Sequence, residues 1–152
     1  MRRAVAVLCA LAVVGLVTGC QGPGGIAVTH ARVGVPAGPN AALYFTAANE
    51  GGETDVLIGA SSDVAGGVEI HETTQAEDGT MRMRPVTGLD LPAGETLSLQ
   101  PGGLHVMLID VEPLEEGEDI AVTLHWESAG DMEVEAEVVS PAETVTDEQD
   151  HG

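Results

Sequence analysis

The sequence predicts an all-β domain, a Greek-key sandwich or barrel of about seven to nine short strands. Three observations predict it. Apolar and polar residues alternate with the period of a strand, as in Leu104-His105-Val106-Met107-Leu108. Turn-forming residues punctuate the runs at regular, short intervals. No long segment repeats with the helical period of about 3.6 residues.

The strands follow in order. Ile26–Val35 stops at Pro36, and Gly38-Pro39-Asn40 turns the chain into Ala42–Ala48. Gly51-Gly52 separates that run from Asp55–Ala60. Gly66-Gly67 reads as a turn leading into Gly67–His71, and Asp78-Gly79 as one leading into Thr80–Pro85. Pro92-Ala93-Gly94 precedes Thr96–Leu99, and Pro101-Gly102-Gly103 precedes Leu104–Val111. Gly117 and Gly130 introduce Asp119–Trp126 and Met132–Val139. Glycine supplies backbone angles closed to other residues and proline pre-sets its own, so these residues mark where strands end.

The two ends read differently. Arg2 and Arg3 precede an apolar run from Ala4 to Val17, which closes on Thr18-Gly19-Cys20. That run is too short for a convincing membrane span and has the form of a signal peptide ending in a lipobox. Residues 1–19 are therefore expected to be a lipoprotein signal, with Cys20 the lipidated first residue. Residues 20–25 are expected to be anchor and linker, residues 26–140 the β-domain, and residues 141–152 an acidic disordered tail. Cys9 leaves with the signal, so the folded domain has neither free thiol nor disulfide.

Charge narrows the function. Five Lys plus Arg stand against 25 Asp plus Glu, a net charge of −20, and two of the five are the signal arginines. Nucleic-acid binding is excluded, because phosphate contacts need a basic face. So acidic a surface also repels anionic headgroups, which gives a lipid anchor a purpose. The protein is expected outside the cytoplasm, lipid-anchored to the cell membrane, and monomeric.

Methionine is normally scattered through a core as a filler of gaps. Here Met81, Met83 and Met107 cluster in sequence with His71 and His105, and Met132 is the only other methionine beyond the signal. Strand alternation puts Leu104, Val106 and Leu108 on one face and His105 and Met107 on the other. It likewise separates Val68 and Ile70 from Glu69 and His71, and gives Met81 and Met83 a common face. His71, His105 and Met107 thus point away from the interior, toward a partly exposed site. Thioethers are soft and suit Cu(I), and imidazole suits copper generally, so the cluster reads as a copper site with Cu(I) preferred and Cu(II) possible. His71, Met83, His105 and Met107 are the candidate ligands, with Met81 a possible auxiliary. His125 reads as structural or surface, His30 and His151 as incidental apart from weak Cu(II) binding at His30, and Arg82 and Arg84 as partners of carboxylates. Without a thiolate the trigonal His₂Cys site of blue-copper electron carriers is excluded.

The spacing is His71, eleven residues, Met83, twenty-one residues, then His105-Val106-Met107. It resembles the signature of the periplasmic copper chaperones of the PCuAC type, residue for residue. The flanks are similar too: Tyr44-Phe45-Thr46, Val68-Glu69-Ile70-His71-Glu72, Met83-Arg84-Pro85-Val86, Leu91-Pro92-Ala93-Gly94 and Pro101-Gly102-Gly103-Leu104. Glu72 departs from it, since many members carry Met after the first His. The resemblance spans about residues 26–139. It implies a cupredoxin-like β-sandwich and delivery of Cu(I) to the dinuclear copper centre of cytochrome c oxidase, alongside a Sco-type thiol protein. Two other readings compete: a lipoprotein that stores or sequesters copper, and a metal-free β-sandwich interaction module. An enzyme is not expected, because the sequence offers no nucleophile elbow, no thiol and no open zinc-type constellation.

Overall fold

The computed structural model describes residues 23–36 and 38–144. The segment expected to be a signal peptide, Cys20 and the far tail with His151 lie outside the described residues. Alternating burial shapes the strands: in β2 (Ala41–Asn49), Ala41, Leu43, Phe45, Ala47 and Asn49 are buried and the residues between them half-buried. β1 (Ile26–Gly34) precedes it, and β3 (Asp55–Ser61), β4 (Ala65–Gln75), β5 (Met81–Pro85), β6 (Leu89–Leu91) and β7 (Thr96–Leu99) follow. β8 (Leu104–Val111), β9 (Asp119–Trp126) and β10 (Gly130–Val139) complete the series. Among the described residues the only helical element is a 3₁₀ turn at Pro23–Gly25, so none of them forms a helix long and apolar enough to cross a membrane.

The strands join in one ten-stranded open sheet in the order β5-β4-β8-β2-β1-β10-β9-β3-β6, with β7 added beside β2. Among the described residues only β1 and β10 pair in parallel; the other ladders are antiparallel. Most neighbours are not consecutive in the chain, which is the Greek-key character expected. The sheet curls until β3 and β4, near its opposite ends, approach each other. Inside lie Leu43, Phe45, Leu57, Val106, Leu108 and Leu124, all at most 2% exposed. This all-β, cupredoxin-like architecture is the fold class read from the sequence.

Three details differ from the expectation. Gly66 and Gly67 do not turn the chain but lie inside β4. A Cβ on Gly66 would sit 3.2 Å from that of Asp110, whose own φ is 49°, so this glycine marks a close approach of two strands. β6, only three residues long, carried too little alternation to be read. The tail is held further than Pro141: Glu143 and Thr144 donate their backbone N–H groups to the Ser140 carbonyl, and Arg32 Nη1 donates to the Glu143 carbonyl at 3.0 Å.

One end of the sheet is tied by two buried polar side chains. Asn49 Nδ2 donates to the carbonyls of Glu53 (2.8 Å) and Leu91 (2.9 Å), and its Oδ1 accepts from Gly51 N–H. Asp55 accepts from the N–H groups of Val56, Ser128 and Ala129 at 2.8 to 2.9 Å. The linker docks there: Glu50 donates to the Gly25 carbonyl at 2.8 Å. Gly25 has a φ of 82°, and a Cβ on it would come within 2.8 Å of Gly51 N, so no other residue fits without displacing that turn.

Candidate metal centre

Register assembles the candidate site. β8 lies between β4 and β2. Across β4 and β8, His71 pairs with His105 and Glu69 with Met107. Across β4 and β5, Thr73 pairs with Met83 and Gln75 with Met81. On the far side of β8, Met107 pairs with Ala42 of β2. Directly paired residues share a face, and so do residues two apart along a strand. Glu69, His71, Met81, Met83, His105 and Met107 therefore share one face, opposite to that of Val106 and Leu108.

Within that face three candidates converge. His71 Nδ1 and Met83 Sδ are 3.2 Å apart, the diagonal reach of a long side chain between adjacent strands. The His71 and His105 rings meet edge to face with centroids 5.7 Å apart. Met107 is half-buried, two residues beyond His105 on the same strand face. Met81 stands one step further along the β5 edge than Met83 and is 57% exposed, more remote from the histidines than the other candidates.

His105 is not at the surface. It is 4% exposed, which corrects the expectation of a partly exposed ring. Its strand is central, and neighbours on both sides cover it: His71 from β4, and Tyr44 from β2 with ring centroids 6.3 Å apart. Burial lowers the His105 pKa below the usual imidazole value, a hydrogen bond with the Gly103 carbonyl raises it, and the charge of nearby His71 lowers it. The net effect keeps the ring neutral, the form in which imidazole binds metal. Burial likewise raises the Tyr44 phenol.

Partners around the candidates were less visible in the sequence. Glu69 Oε2 lies 2.8 Å from His71 Nε2, and the Gly103 carbonyl 3.3 Å from His105 Nδ1. The spacing Glu69-x-His71 on a strand was the available signal for the first. No pattern of side chains announces a backbone carbonyl. Glu72, the departure from the resemblance noted in the sequence, is on the other face and pairs with Arg84. Arg84 thus meets the carboxylate expected of it.

Among the described residues no group of three or more His, Cys, Asp or Glu side chains could hold a metal ion. Any donor set of three or more groups on this face would therefore include donors of another kind, and the thioethers are the ones it supplies. Elsewhere, His125 bridges strands: its Nε2 lies 3.0 Å from Ser61 Oγ and its Nδ1 2.6 Å from Asp131 Oδ1. It is the structural surface histidine expected, a clamp over β3, β9 and β10. A cavity of about 260 Å³, lined by Glu53, Asp55, Ser128 and Ala129 among others, includes none of these three side chains.

Comparisons with known proteins agree with this architecture. The family model described as LpqE-like, a lipoprotein family by its description, matches residues 26–138. Lxx21020 of Leifsonia xyli subsp. xyli (strain CTCB07), also described as a lipoprotein, is 35% identical over 103 residues, which are 67% of this chain. The match spans 62% of that relative's length. A copper-bound PCuAC domain from PmoF2 is similar at a TM-score of 0.66 and 27% identity, over 78% of this chain and 96% of that domain. The solution structure of CuI-DR1885 from Deinococcus radiodurans is similar at a TM-score of 0.58 and 28% identity, over 82% and 84% of the two chains.

Proposed function

The chain belongs to the LpqE-like family and carries a PCuAC-type domain, and from that premise we propose that it is an extracytoplasmic, lipid-anchored chaperone for Cu(I). Its cargo is held by His71, Met83, His105 and Met107. The observation that carries this reading is the 3.2 Å approach of Met83 Sδ to His71 Nδ1, beside the ring of His105. Nitrogen and sulfur donors at metal distances of about 2.0 and 2.3 Å lie about 3.2 to 3.5 Å from each other for bond angles between about 95° and 110°. The pair is thus close to the separation that a shared ion requires. The solved relatives named as copper-bound support the choice of ion.

The chemistry suits carriage. Two imidazoles and two thioethers are neutral, and the soft sulfurs favour the reduced ion, while Cu(II) would rely on the imidazoles and water. Met83, 52% exposed on an edge strand, lets a recipient reach the ion from solvent. Ligands on the recipient can then replace the thioethers one at a time while buried His105 keeps its place. The dinuclear centre of a cytochrome c oxidase subunit or a Sco-type dithiol is the recipient this reading assigns, because thiolates bind Cu(I) more strongly than thioethers. X-ray absorption of the Cu(I)-loaded protein is expected to show one copper with mixed sulfur and nitrogen neighbours. Mixing it with either apo recipient is expected to move the copper across, followed by NMR. Nitrogen and oxygen neighbours alone would sink the site; copper retained against both recipients would turn the reading to storage.

A further inference from the structure

We propose that the two imidazoles bind copper through opposite ring nitrogens, His71 through Nδ1 and His105 through Nε2, with Glu69 the positioning residue for the first. This rests on the copper reading above and specifies it.

A neutral imidazole has one N–H and one lone pair, and only the lone pair binds metal. The nitrogen engaged with an acceptor holds the proton and leaves the other free. At His71 the acceptor is Glu69, whose Oε2 is 2.8 Å from Nε2. Both nitrogens of this ring face acceptors, the Met83 sulfur at Nδ1 and the carboxylate at Nε2; the charged carboxylate is much the stronger, so the single hydrogen of the neutral ring is on Nε2. The lone pair is then on Nδ1, the nitrogen 3.2 Å from the Met83 sulfur. At His105 the acceptor is the Gly103 carbonyl, 3.3 Å from Nδ1. A carbonyl accepts only, so Nδ1 carries the hydrogen and Nε2 the lone pair.

The two restraints have different origins. Gly103 precedes β8 and its carbonyl is backbone, so no substitution of that residue's side chain removes it. Glu69 is a side chain two residues before His71 on the same strand face, and it is replaceable. Its carboxylate also places a negative charge beside a site whose four ligands are neutral, which offsets the charge of the ion. Partners of this kind orient ligating histidines, and their loss typically costs about 10- to 100-fold in metal affinity.

The tautomers can be read in the apo protein by ¹⁵N NMR of the imidazole rings, near pH 8, where a free imidazole is neutral. His71 is expected to show the hydrogen on Nε2 and His105 on Nδ1. On addition of Cu(I), the nitrogens that shift are expected to be His71 Nδ1 and His105 Nε2. Glu69→Ala should let His71 sample both tautomers and lower Cu(I) affinity about 10- to 100-fold. Glu69→Gln keeps an acceptor oxygen and should hold the tautomer, while affinity falls less than in Glu69→Ala because only the charge is lost. A hydrogen on Nδ1 of His71, or a Glu69→Ala variant unchanged in tautomer and affinity, would overturn the assignment. Failure of Cu(I) to shift either ring would sink the copper reading instead, and the apo tautomers decide the role of Glu69 in either case.

Discussion

The sulfur of Met83 stands 3.2 Å from Nδ1 of His71, although Met83 is 52% exposed on the outermost strand of the sheet. A thioether so placed contributes little to the core. Met83→Leu keeps volume and apolarity, and such swaps usually cost below about 1.5 kcal/mol. The apo melting temperature should therefore barely move, while Cu(I) affinity, measured against a chromophoric chelator, should fall at least about ten-fold, the equivalent of about 1.4 kcal/mol. Met107→Leu should behave similarly, with a slightly larger stability cost because Met107 is half-buried. An apo protein that unfolds on either change would make these methionines core residues.

Asp55 predicts an acid-labile clamp. Burial pushes its pKa up, but the N–H groups of Ser128, Val56 and Ala129 together outweigh that and hold it below its ordinary value of 3.8. The folded state therefore resists the proton more than the unfolded state does. The stabilisation is complete above about pH 4 and is lost as pH falls through the lowered pKa. Asp55→Asn should cost about 1–3 kcal/mol at neutral pH. In urea melts its deficit should shrink below about pH 4; a deficit constant down to pH 2 would contradict the assignment.

His105 predicts a second window. Its folded pKa is depressed, so the unfolded chain takes up a proton that the fold refuses. Its contribution to apo stability is full above an unfolded value of about 6.5 and is lost as pH falls from there through the lowered folded pKa. His105→Gln should flatten that part of the stability profile of the apo protein. A profile with the opposite slope between about pH 6.5 and 5 would show that the ring is charged in the fold.

Localisation has its own test. Cys20→Ala should abolish lipid attachment, leaving the precursor uncleaved or the protein released on detergent partitioning. Membrane fractionation unchanged by the substitution would assign the anchor to another segment.

What the sequence made legible follows from what strand alternation can encode. Period two told which side of each strand faced the core and grouped His105 with Met107 and Met81 with Met83; the register of the paired strands then brings His71, Met83, His105 and Met107 to one face. Alternation carries no information about strand order. That β8 is central, between β4 and β2, is a property of the whole sheet, and this is why the burial of His105 was not foreseen. Gly66 was misread for a related reason: a glycine demanded by a neighbouring strand looks, in one dimension, like a glycine demanded by a turn. Glu69 lay in view beside His71, but a carboxylate among 25 acidic residues attracts no notice until a 2.8 Å contact singles it out.

The docked glycines at the start of the domain set a height limit. With Cys20 lipidated, only Gln21 and Gly22 separate the anchor from the turn at Pro23, a span of at most about 11 Å whatever its conformation. The turn meets the sheet at Asn49, the partner of Ile26. Tyr44, beside the ring of His105, is five residues back along β2, about 17 Å at strand spacing. With the turn to Ile26, the cross-strand step and the ring contact added, the metal would lie at most about 50 Å from the lipidated residue. For such a tethered carrier, encounters with a recipient would become a search in two dimensions, and a recipient whose own copper site lay beyond that reach would be out of range.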